Sequence, residues 1–220
     1  MTGAVYSRVR LRIMKQKYAI LCAGLAMAAV IAGCRVHVDK DANGKEKTVQ
    51  VDTPFGGVHV NTDQTSAADL GLPVYTGSAI VKDKDGNQSD DVHMGFGEWQ
   101  LRVRAVSYES SDPQDKILAF YKKALGRYGD VITCQGKTPV GTPTMTREGL
   151  TCSDDGKDTH FQFNGKANGV DLSDNLQLKA GSKRHQHIVG FEDSKDGRVR
   201  FSLVALDLPA NIDSKDSTSD

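Results

Sequence analysis

The oxygen-bearing side chains of Asp39, Asp41 and Asn43 have the spacing of calcium ligands in a loop. Oxygen ligands at positions 1, 3 and 5, with Gly44 at position 6, match the first half of a helix–loop–helix calcium site. Position 12 is Gln50, which cannot supply the bidentate carboxylate that completes such a site. Because the flanking residues alternate as strands do, the segment is predicted to be an Asn-Gly hairpin with solvated charges and no metal.

Pairs of histidines offer another possible metal chemistry. His185 and His187 lie two residues apart, which places both imidazoles on one face of a strand. Two ligands are too few for a metal site, and no cysteine or carboxylate-rich segment clearly converges on them. His37 and His59 lie on separate short strands, where strand pairing could bring them together. A solvated strand face is the preferred interpretation of each pair, and no cofactor is predicted.

Motifs of known nucleotide-binding and catalytic classes are present only in part. Gly136-Lys137-Thr138 resembles the end of a phosphate-binding loop, but Val131 occupies the position of its first glycine. Ser173-Asp174-Asn175 matches one penicillin-binding triplet, whereas the sequence contains neither Ser-x-x-Lys nor Lys-Thr-Gly. A Gly-x-Ser-x-Gly elbow is also missing from the sequence. The chain is therefore predicted to be non-catalytic.

The cysteines fall into two groups by position. Cys22 lies within an apolar N-terminal run, and Cys34 closes that run. Cys134 and Cys152 each end a short strand-like run, and a Gly- and Pro-containing loop separates them. In an oxidising compartment this second pair is predicted to form a disulfide. The alternatives are two free thiols or a metal site, and neither a Cys-x-x-Cys motif nor a nearby histidine pair supports the metal site.

Residues 1–33 are predicted to be an export signal. Lys15 and Lys17 precede an apolar run from Tyr18 to Ile31, which is shorter than the roughly 20 residues that span a bilayer. A membrane-spanning helix is the less favoured alternative. Translation from Met14 would give a signal of ordinary length, so Met14 is the preferred start.

The end of this run, Ile31-Ala32-Gly33-Cys34, resembles the lipobox of bacterial lipoproteins. The resemblance implies diacylglycerol in thioether linkage to Cys34, cleavage before Cys34, and fatty acids such as palmitate on the mature protein. Two or three acyl chains anchor a protein stably, whereas one holds it only marginally. Residue 35 is Arg rather than Asp, which in the sorting pattern of such lipoproteins favours the periplasmic side of the outer membrane over the inner membrane.

Removal of the signal changes the charge of the chain. The whole sequence has 28 basic and 28 acidic residues, and five of the basic ones precede Cys34. The rest of the chain therefore carries 23 basic and 28 acidic residues, a net charge of −5. A mildly acidic surface argues against nucleic acid as a partner. The predicted partners are the membrane, through lipid on Cys34, and another protein of the cell envelope.

The elements that position these residues are mostly strands. Residues 34–68 are predicted to contain the lipidated N-terminus, a small β-meander and a linker. Residues 69–209 are predicted to form the main domain, and residues 210–220 a disordered tail. The main domain has one predicted helix, packed on a mostly antiparallel sheet. The predicted fold class is therefore α+β, with the signal helix and the meander before it.

The predicted helix has clear signals at its start. Asp112 is a good N-cap residue, and Pro113 suits the first helical position. Four apolar side chains then recur at helical spacing, namely Ile117, Leu118, Tyr121 and Leu125. Gly126 or Gly129 is expected to end the helix.

Two segments of the chain are similar to a pattern in uncharacterised bacterial envelope proteins. They are Leu72-Pro73-Val74-Tyr75-Thr76-Gly77 and Phe120-Tyr121 through Leu125 to Gly129. Thr76 replaces the proline that is usual there, and the family brings no activity with it. Together with the lipobox, this resemblance implies a lipid-anchored envelope protein with a structural or protein-interaction role. The alternative is a module that binds a small or apolar ligand between helix and sheet.

Overall fold

The computed structural model describes residues 34–40, 42, 44, 46–82, 87–154, 166–167, 170–171, 175–192 and 196–209. The export signal predicted for residues 1–33 and the disordered tail predicted for residues 210–220 lie outside the described residues. Residues 159–163, whose sequence is strand-like, also lie outside the described residues.

The described chain consists mainly of antiparallel strands with one α-helix, which confirms the predicted α+β class. The strands are β1 (Arg35–Lys40), β2 (Glu46–Thr53), β3 (Gly56–Thr62), β4 (Ala79–Ile80), β5 (Ser89–Phe96), β6 (Trp99–Ser110), β7 (Val131–Gln135), β8 (Thr138–Pro139), β9 (Lys166–Ala167), β10 (Val170–Asp171), β11 (Leu176–Gly181), β12 (His185–Phe191) and β13 (Val199–Asp207). Helix α1 covers Gln114–Leu125, and 3₁₀ turns cover Ala68–Leu70 and Gly126–Tyr128.

Eleven of the described strands form one antiparallel sheet. Its order is β1-β2-β3-β5-β6-β13-β12-β11-β7-β8, and β4 pairs with the end of β6 that β5 does not reach. Among the described strands, β9 and β10 pair only with each other. The last strand, β13, lies between β6 and β12, so pairs distant in sequence form the middle of the sheet.

Helix α1 packs its apolar side against this middle region. Ile117, Tyr121 and Leu125 recur every four residues and are fully buried. The N-cap position belongs to Pro113, and the helix has no side-chain capping hydrogen bond. The prediction that Asp112 caps the helix is therefore wrong. Its carboxylate instead accepts a hydrogen bond of 2.7 Å from the Tyr75 hydroxyl.

The two faces of the sheet carry separate cores. On the helix face, side chains of α1 pack with apolar side chains of β6, β11, β12 and β13, among them Tyr108, Leu178, Val189, Phe201 and Leu203. On the opposite face, a second cluster comprises Leu101, Val103, Ala105, Ile188, Val204, Leu206 and Leu208. A third, small cluster surrounds Cys134 and Cys152. The alternation of strand side chains thus fills both faces at the centre of the sheet.

The first three strands continue the same sheet. Strand β3 pairs with β5 from Gly57↔Gly95 to Thr62↔Asp90. Residues 61–68, where a linker was predicted, include the end of β3 and pack onto the domain. The Thr65 N–H donates to Ser89 Oγ at 3.0 Å, and Ala67 is fully buried. We call β1, β2, β3 and β5 the outer half of the sheet, and β6, β13, β12, β11 and β7 the inner half.

Candidate functional site

Cys34, the predicted lipidation residue, lies at the free edge of the outer half. Its thiol is free and exposed, and it directly precedes β1, whose residues are all exposed. Among the described strands, β1 pairs only with β2. A group attached to this sulfur would therefore be one residue away from the folded sheet.

The possible calcium ligands are only partly described. Asp39 lies in β1 opposite Thr48, and its carboxylate is 3.2 Å from His37 Nε2. Both side chains are more than half exposed. Asp41 and Asn43 lie outside the described residues. Within the described ranges, no group of three His, Cys, Asp or Glu side chains is placed to hold a metal ion.

The predicted disulfide between Cys134 and Cys152 is confirmed. The Cα atoms are 5.6 Å apart, and both residues are buried with Ile132 and Leu150. Cys134 lies in β7, as expected. The strand predicted for residues 149–152 is wrong, because only single bridges form there, one of them Met145↔Thr151.

The segment that carries Cys152 is also held by hydrogen bonds to the sheet. The Thr146 hydroxyl donates to the Gly181 carbonyl at 3.0 Å and accepts from the Leu150 N–H at 3.1 Å. Lys179 is only 2% exposed, and its ammonium group donates a hydrogen bond of 3.2 Å to the Cys152 carbonyl. Disulfide and hydrogen bonds together fix this segment over the edge of the inner half.

The outer half has one apolar face. Strand register aligns Val36, Val51, Val58, Met94 and Leu101 in one row, and Val38, Val49, Val60, Val92 and Val103 in the next. The second row continues into the inner half, where Val103 lies opposite Leu206. In the outer half these side chains are only partly buried or are exposed, with Val36 67% exposed. An apolar face that continues from a buried core onto partly exposed strands is a candidate contact surface.

The other face of the outer half is polar and rich in histidine. One row crosses seven strands in the order His37, Gln50, His59, His93, Arg102, Asp207 and His185. We call it the histidine row. Sequence reasoning noticed three of its histidines, but the structure places Gln50 between His37 and His59. It missed His93, whose partner depends on the pairing of β3 with β5.

Carboxylates lie beside the histidine row along its length. Arg102 makes a bidentate salt bridge to Asp91, and the shorter of its two hydrogen bonds is 2.7 Å. Hydrogen bonding to Asp91 raises the pKa of Arg102. His185 Nδ1 lies 2.9 Å from Asp207, and His59 Nε2 lies 3.5 Å from Asp52. These groups lie on an open sheet face and are largely matched in charge.

His187 faces the same side of the sheet but is covered. Its ring stacks on Tyr128, with centroids 3.6 Å apart and an angle of 11° between the ring planes. Burial lowers the pKa of His187, so the neutral imidazole is favoured. His185, two residues earlier, is exposed. The two histidines therefore share a face, as predicted, but not an environment.

The two segments of the family-like pattern contact each other. Tyr75 packs edge-to-face on Phe120, and its backbone N–H donates to the Tyr121 hydroxyl at 3.2 Å. The Tyr128 hydroxyl donates to the Gly71 carbonyl at 2.8 Å. These contacts hold the segment before β4 against the helix and the turn that follows it. The residues of this pattern therefore stabilise the packing of that segment.

The space beneath the helix is occupied by aromatic rings. The ring centroid of Phe201 lies 5.5 Å from the ring centroid of Tyr121 and 5.9 Å from that of Tyr108. An open groove of about 520 Å³ lies instead beside the C-terminal end of the helix. It is lined by Ala68, Gly71, Leu72, Pro73, Ala124 and Arg127.

Comparison with known proteins leaves these features to be interpreted from their geometry. No protein-family model, curated protein or solved structure matches this chain. Within the ranges that the structure describes, no helix is long and apolar enough to cross a membrane. The features to be explained are the edge position of Cys34, the partly exposed apolar face and the histidine row.

Proposed function

We propose that this chain is a lipid-anchored protein of the bacterial cell envelope whose domain serves a structural or protein-interaction role. The observation that carries the proposal is that an exposed Cys34 lies at the free edge of the sheet, immediately before β1. The lipobox-like residues before it supply the processing signal. Diacylglycerol on Cys34, with further acylation, would supply the two or more chains that stable anchoring needs.

The proposed location is the periplasmic side of the outer membrane. Arg35 at the second mature position supports this choice over the inner membrane. The disulfide between Cys134 and Cys152 fits the oxidising periplasm.

The proposed role is non-catalytic. The described histidines and carboxylates lie mainly on an open sheet face, where pairs such as His185 and Asp207 are exposed. Catalytic acid–base groups are usually desolvated or strongly perturbed in a cleft. An exposed, charge-matched face is better suited to contact another protein surface, because complementary charges favour encounter and correct orientation.

Mass spectrometry of the chain expressed in a bacterium with lipoprotein processing tests the anchoring. The expected N-terminal peptide begins at Cys34 and carries a diacylglyceryl group and additional fatty acid. A Cys34→Ser variant should stay unprocessed, whereas a Cys134→Ser/Cys152→Ser variant should be acylated as the parent is. A mature chain that lacks lipid on Cys34 would refute the proposal.

Crosslinking in intact cells, followed by purification, tests the interaction role. A defined set of envelope proteins should be recovered with the parent chain. Charge reversal at the exposed face, Arg102→Glu, should reduce their recovery, whereas Lys122→Glu on the exposed side of the helix should not. Equal recovery with both variants would exclude the polar face as the contact.

A second candidate is a module that binds a small or apolar ligand. The groove beside Ala124 and Arg127 is the observation that favours it. Native mass spectrometry of protein purified from envelopes should then show a retained small molecule. An Ala124→Trp variant, which fills the groove, should lose that molecule, and a parent chain without any such mass would exclude this candidate.

A further inference from the structure

We propose that one end of the outer half docks onto the lipid bilayer through exposed apolar side chains, so that Cys34 is one part of a larger membrane contact. The surface consists of Val36, Phe55, Phe96 and Trp99, and we call it the apolar end. The proposal rests on the lipid anchoring proposed above. It adds a bilayer-contact surface of the protein chain itself.

Strand register brings these residues to the same end of the sheet. Strand β1 starts there, with Arg35 opposite Asp52 near the end of β2. The β2–β3 turn, which carries Phe55, lies at this end because Thr53 pairs with Gly56. The turn between β5 and β6 also lies there, since Gly57 pairs with Gly95, and the next pair along is Phe96 with Trp99.

The side chains at this end are unusually exposed for their type. Phe55 is 79% exposed, Val36 67% and Phe96 43%. Phe55 is at the tip of a two-residue turn, where a polar residue or glycine is usual. The rings of Phe96 and Trp99 lie 5.9 Å apart, and Trp99 packs partly against the core of the opposite face.

The same end also carries the attachment point of the lipid. Cys34 directly precedes β1, two residues before Val36, and continued strand alternation would place it on the face of Val36 and Val38. Phe96 and Trp99 belong to this face as well, because they follow Met94 and precede Leu101 by two residues. Acyl chains that leave Cys34 would therefore emerge beside the exposed aromatic rings.

A bilayer fits this surface better than a second copy of the chain does. With about 150–250 Å² for a whole aromatic side chain, the exposed parts of Val36, Phe55 and Phe96 amount to roughly 350 Å². A stable protein interface buries about 800 Å² on each partner. A bilayer needs no such matched area, since aromatic side chains insert singly at the level of the headgroups.

Trp99 is the only tryptophan of the chain and therefore a built-in reporter of depth. The acylated full chain is placed in phosphatidylcholine/phosphatidylglycerol vesicles that contain lipid brominated near the headgroup or deeper in the acyl chain. Bromine quenches tryptophan at short range. We expect quenching of Trp99, stronger with the shallow label than with the deep one.

The variant Phe55→Ser/Phe96→Ser should reduce this quenching by about twofold or more while the acyl chains still hold the protein on the vesicles. Phe55→Ser alone, which changes only an exposed turn, should reduce it in the same direction. The matched control is Val74→Ser/Ile80→Ser, which removes apolar side chains of similar exposure far from this end, at 49% and 40%. This control should be quenched as the parent is.

Different failures have different signatures. An acylated parent whose Trp99 is quenched by neither label refutes docking and leaves the lipid anchor intact. Absence of the acyl mass on Cys34 refutes the anchor itself. If Phe55→Ser/Phe96→Ser converts a dimer to a monomer in detergent without changing the quenching, the apolar end joins two copies, and the docking proposal is wrong.

Discussion

The inner and outer halves belong to one sheet and follow the same alternation, yet they differ in what covers them. In the inner half, helix α1 packs on one face and the disulfide-bonded segment lies over part of the other. In the outer half, Ser89 is the one buried residue among those whose burial is described. The valine row nevertheless continues from the outer half into the inner half, through Val103 in β6 to Leu206 in β13.

This difference indicates that apolar residues of the inner half stabilise the fold, whereas those of the outer half are available for contact with another surface. In the inner half, Val103 and Leu206 of this row are buried on the face opposite the helix, and the free energy of burying apolar surface explains them. In the outer half, the described residues of the same row are only partly buried, and Val38 at its edge is exposed, so the row contributes less to folding there. The outer half is therefore the part of the described chain whose sequence is better explained by a contact with something else.

The first prediction compares two phenylalanines across this boundary. Phe201 in β13 is fully buried among Tyr108, Tyr121 and Phe191, and Phe201→Ala should lower the free energy of unfolding by about 3–5 kcal/mol. Phe96→Ala at the apolar end should cost less than about 1 kcal/mol. Urea unfolding of both variants measures the contrast, and equal losses would show that the outer half is as well covered as the inner half.

Local signals in the sequence predicted most elements of the inner half. The segment with His185 and His187 forms a strand, as predicted, and the helix lies within one or two residues of its expected start. The pairings of β6 with β13 and of β7 with β11 could not be predicted, because they join residues distant in sequence. Alternation indicates a strand and its two faces, but not which strand lies beside it.

The second prediction concerns the far edge of the inner half, where the covering layer is held covalently. In the chain-entropy model, a link over a sequence separation of 18 contributes about 3 kcal/mol. Cys134→Ser/Cys152→Ser, made in a Cys34→Ser background, should lose about that much stability in urea unfolding. Dithiothreitol should lower the stability of the parent similarly, and a variant as stable as its parent would show that packing alone holds the segment.

The third prediction tests how the helix layer is tied to the segment before β4. The Tyr121 hydroxyl donates to the Pro73 carbonyl and accepts from the Tyr75 N–H, each at 3.2 Å. Tyr121→Phe keeps the ring and removes both hydrogen bonds, so it should cost about 1 kcal/mol in urea unfolding. The matched control is Tyr75→Phe, which removes a different hydroxyl group and leaves the Tyr75 N–H in place.

Tyr75→Phe removes the hydrogen bond from the Tyr75 hydroxyl to Asp112, which is more exposed than the contacts of Tyr121. It should therefore cost less than Tyr121→Phe. The reverse order would mean that the contact of Tyr75 with Asp112, rather than the buried hydroxyl of Tyr121, ties this segment to the helix.

The candidate site was less predictable than the fold. The cysteine pair was predictable, because the cysteine count and the export signal predicted from the sequence restrict the possibilities. Lipid on Cys34, which the lipobox-like residues predict, stays a prediction. The histidine row and the apolar end were not predictable, since both depend on the register of β1, β2, β3 and β5. A shift of one residue in any pairing would send these side chains to the opposite face.

The last prediction compares covered and uncovered positions on the polar face, through pH. Burial lowers the pKa of His187 below its ordinary value of 6.5, and Arg104, Arg127 and His185 lower it further, while Asp207 opposes them. The unfolded chain then binds more protons at this site than the folded one as the pH falls through 6.5. Stability should therefore decrease on acidification, by at most about 1.4 kcal/mol per pH unit from this one group.

His187→Phe isolates this contribution, because phenylalanine can keep the stack on Tyr128 and cannot bind a proton. Urea unfolding at about pH 7.5 and about pH 5.5 should show a smaller loss of stability in the variant than in the parent. Identical losses would mean that His187 gains a proton in the folded state as readily as in the unfolded chain. The stacked Tyr128 would then not exclude water, and this part of the polar face would be as open as the histidine row of the outer half.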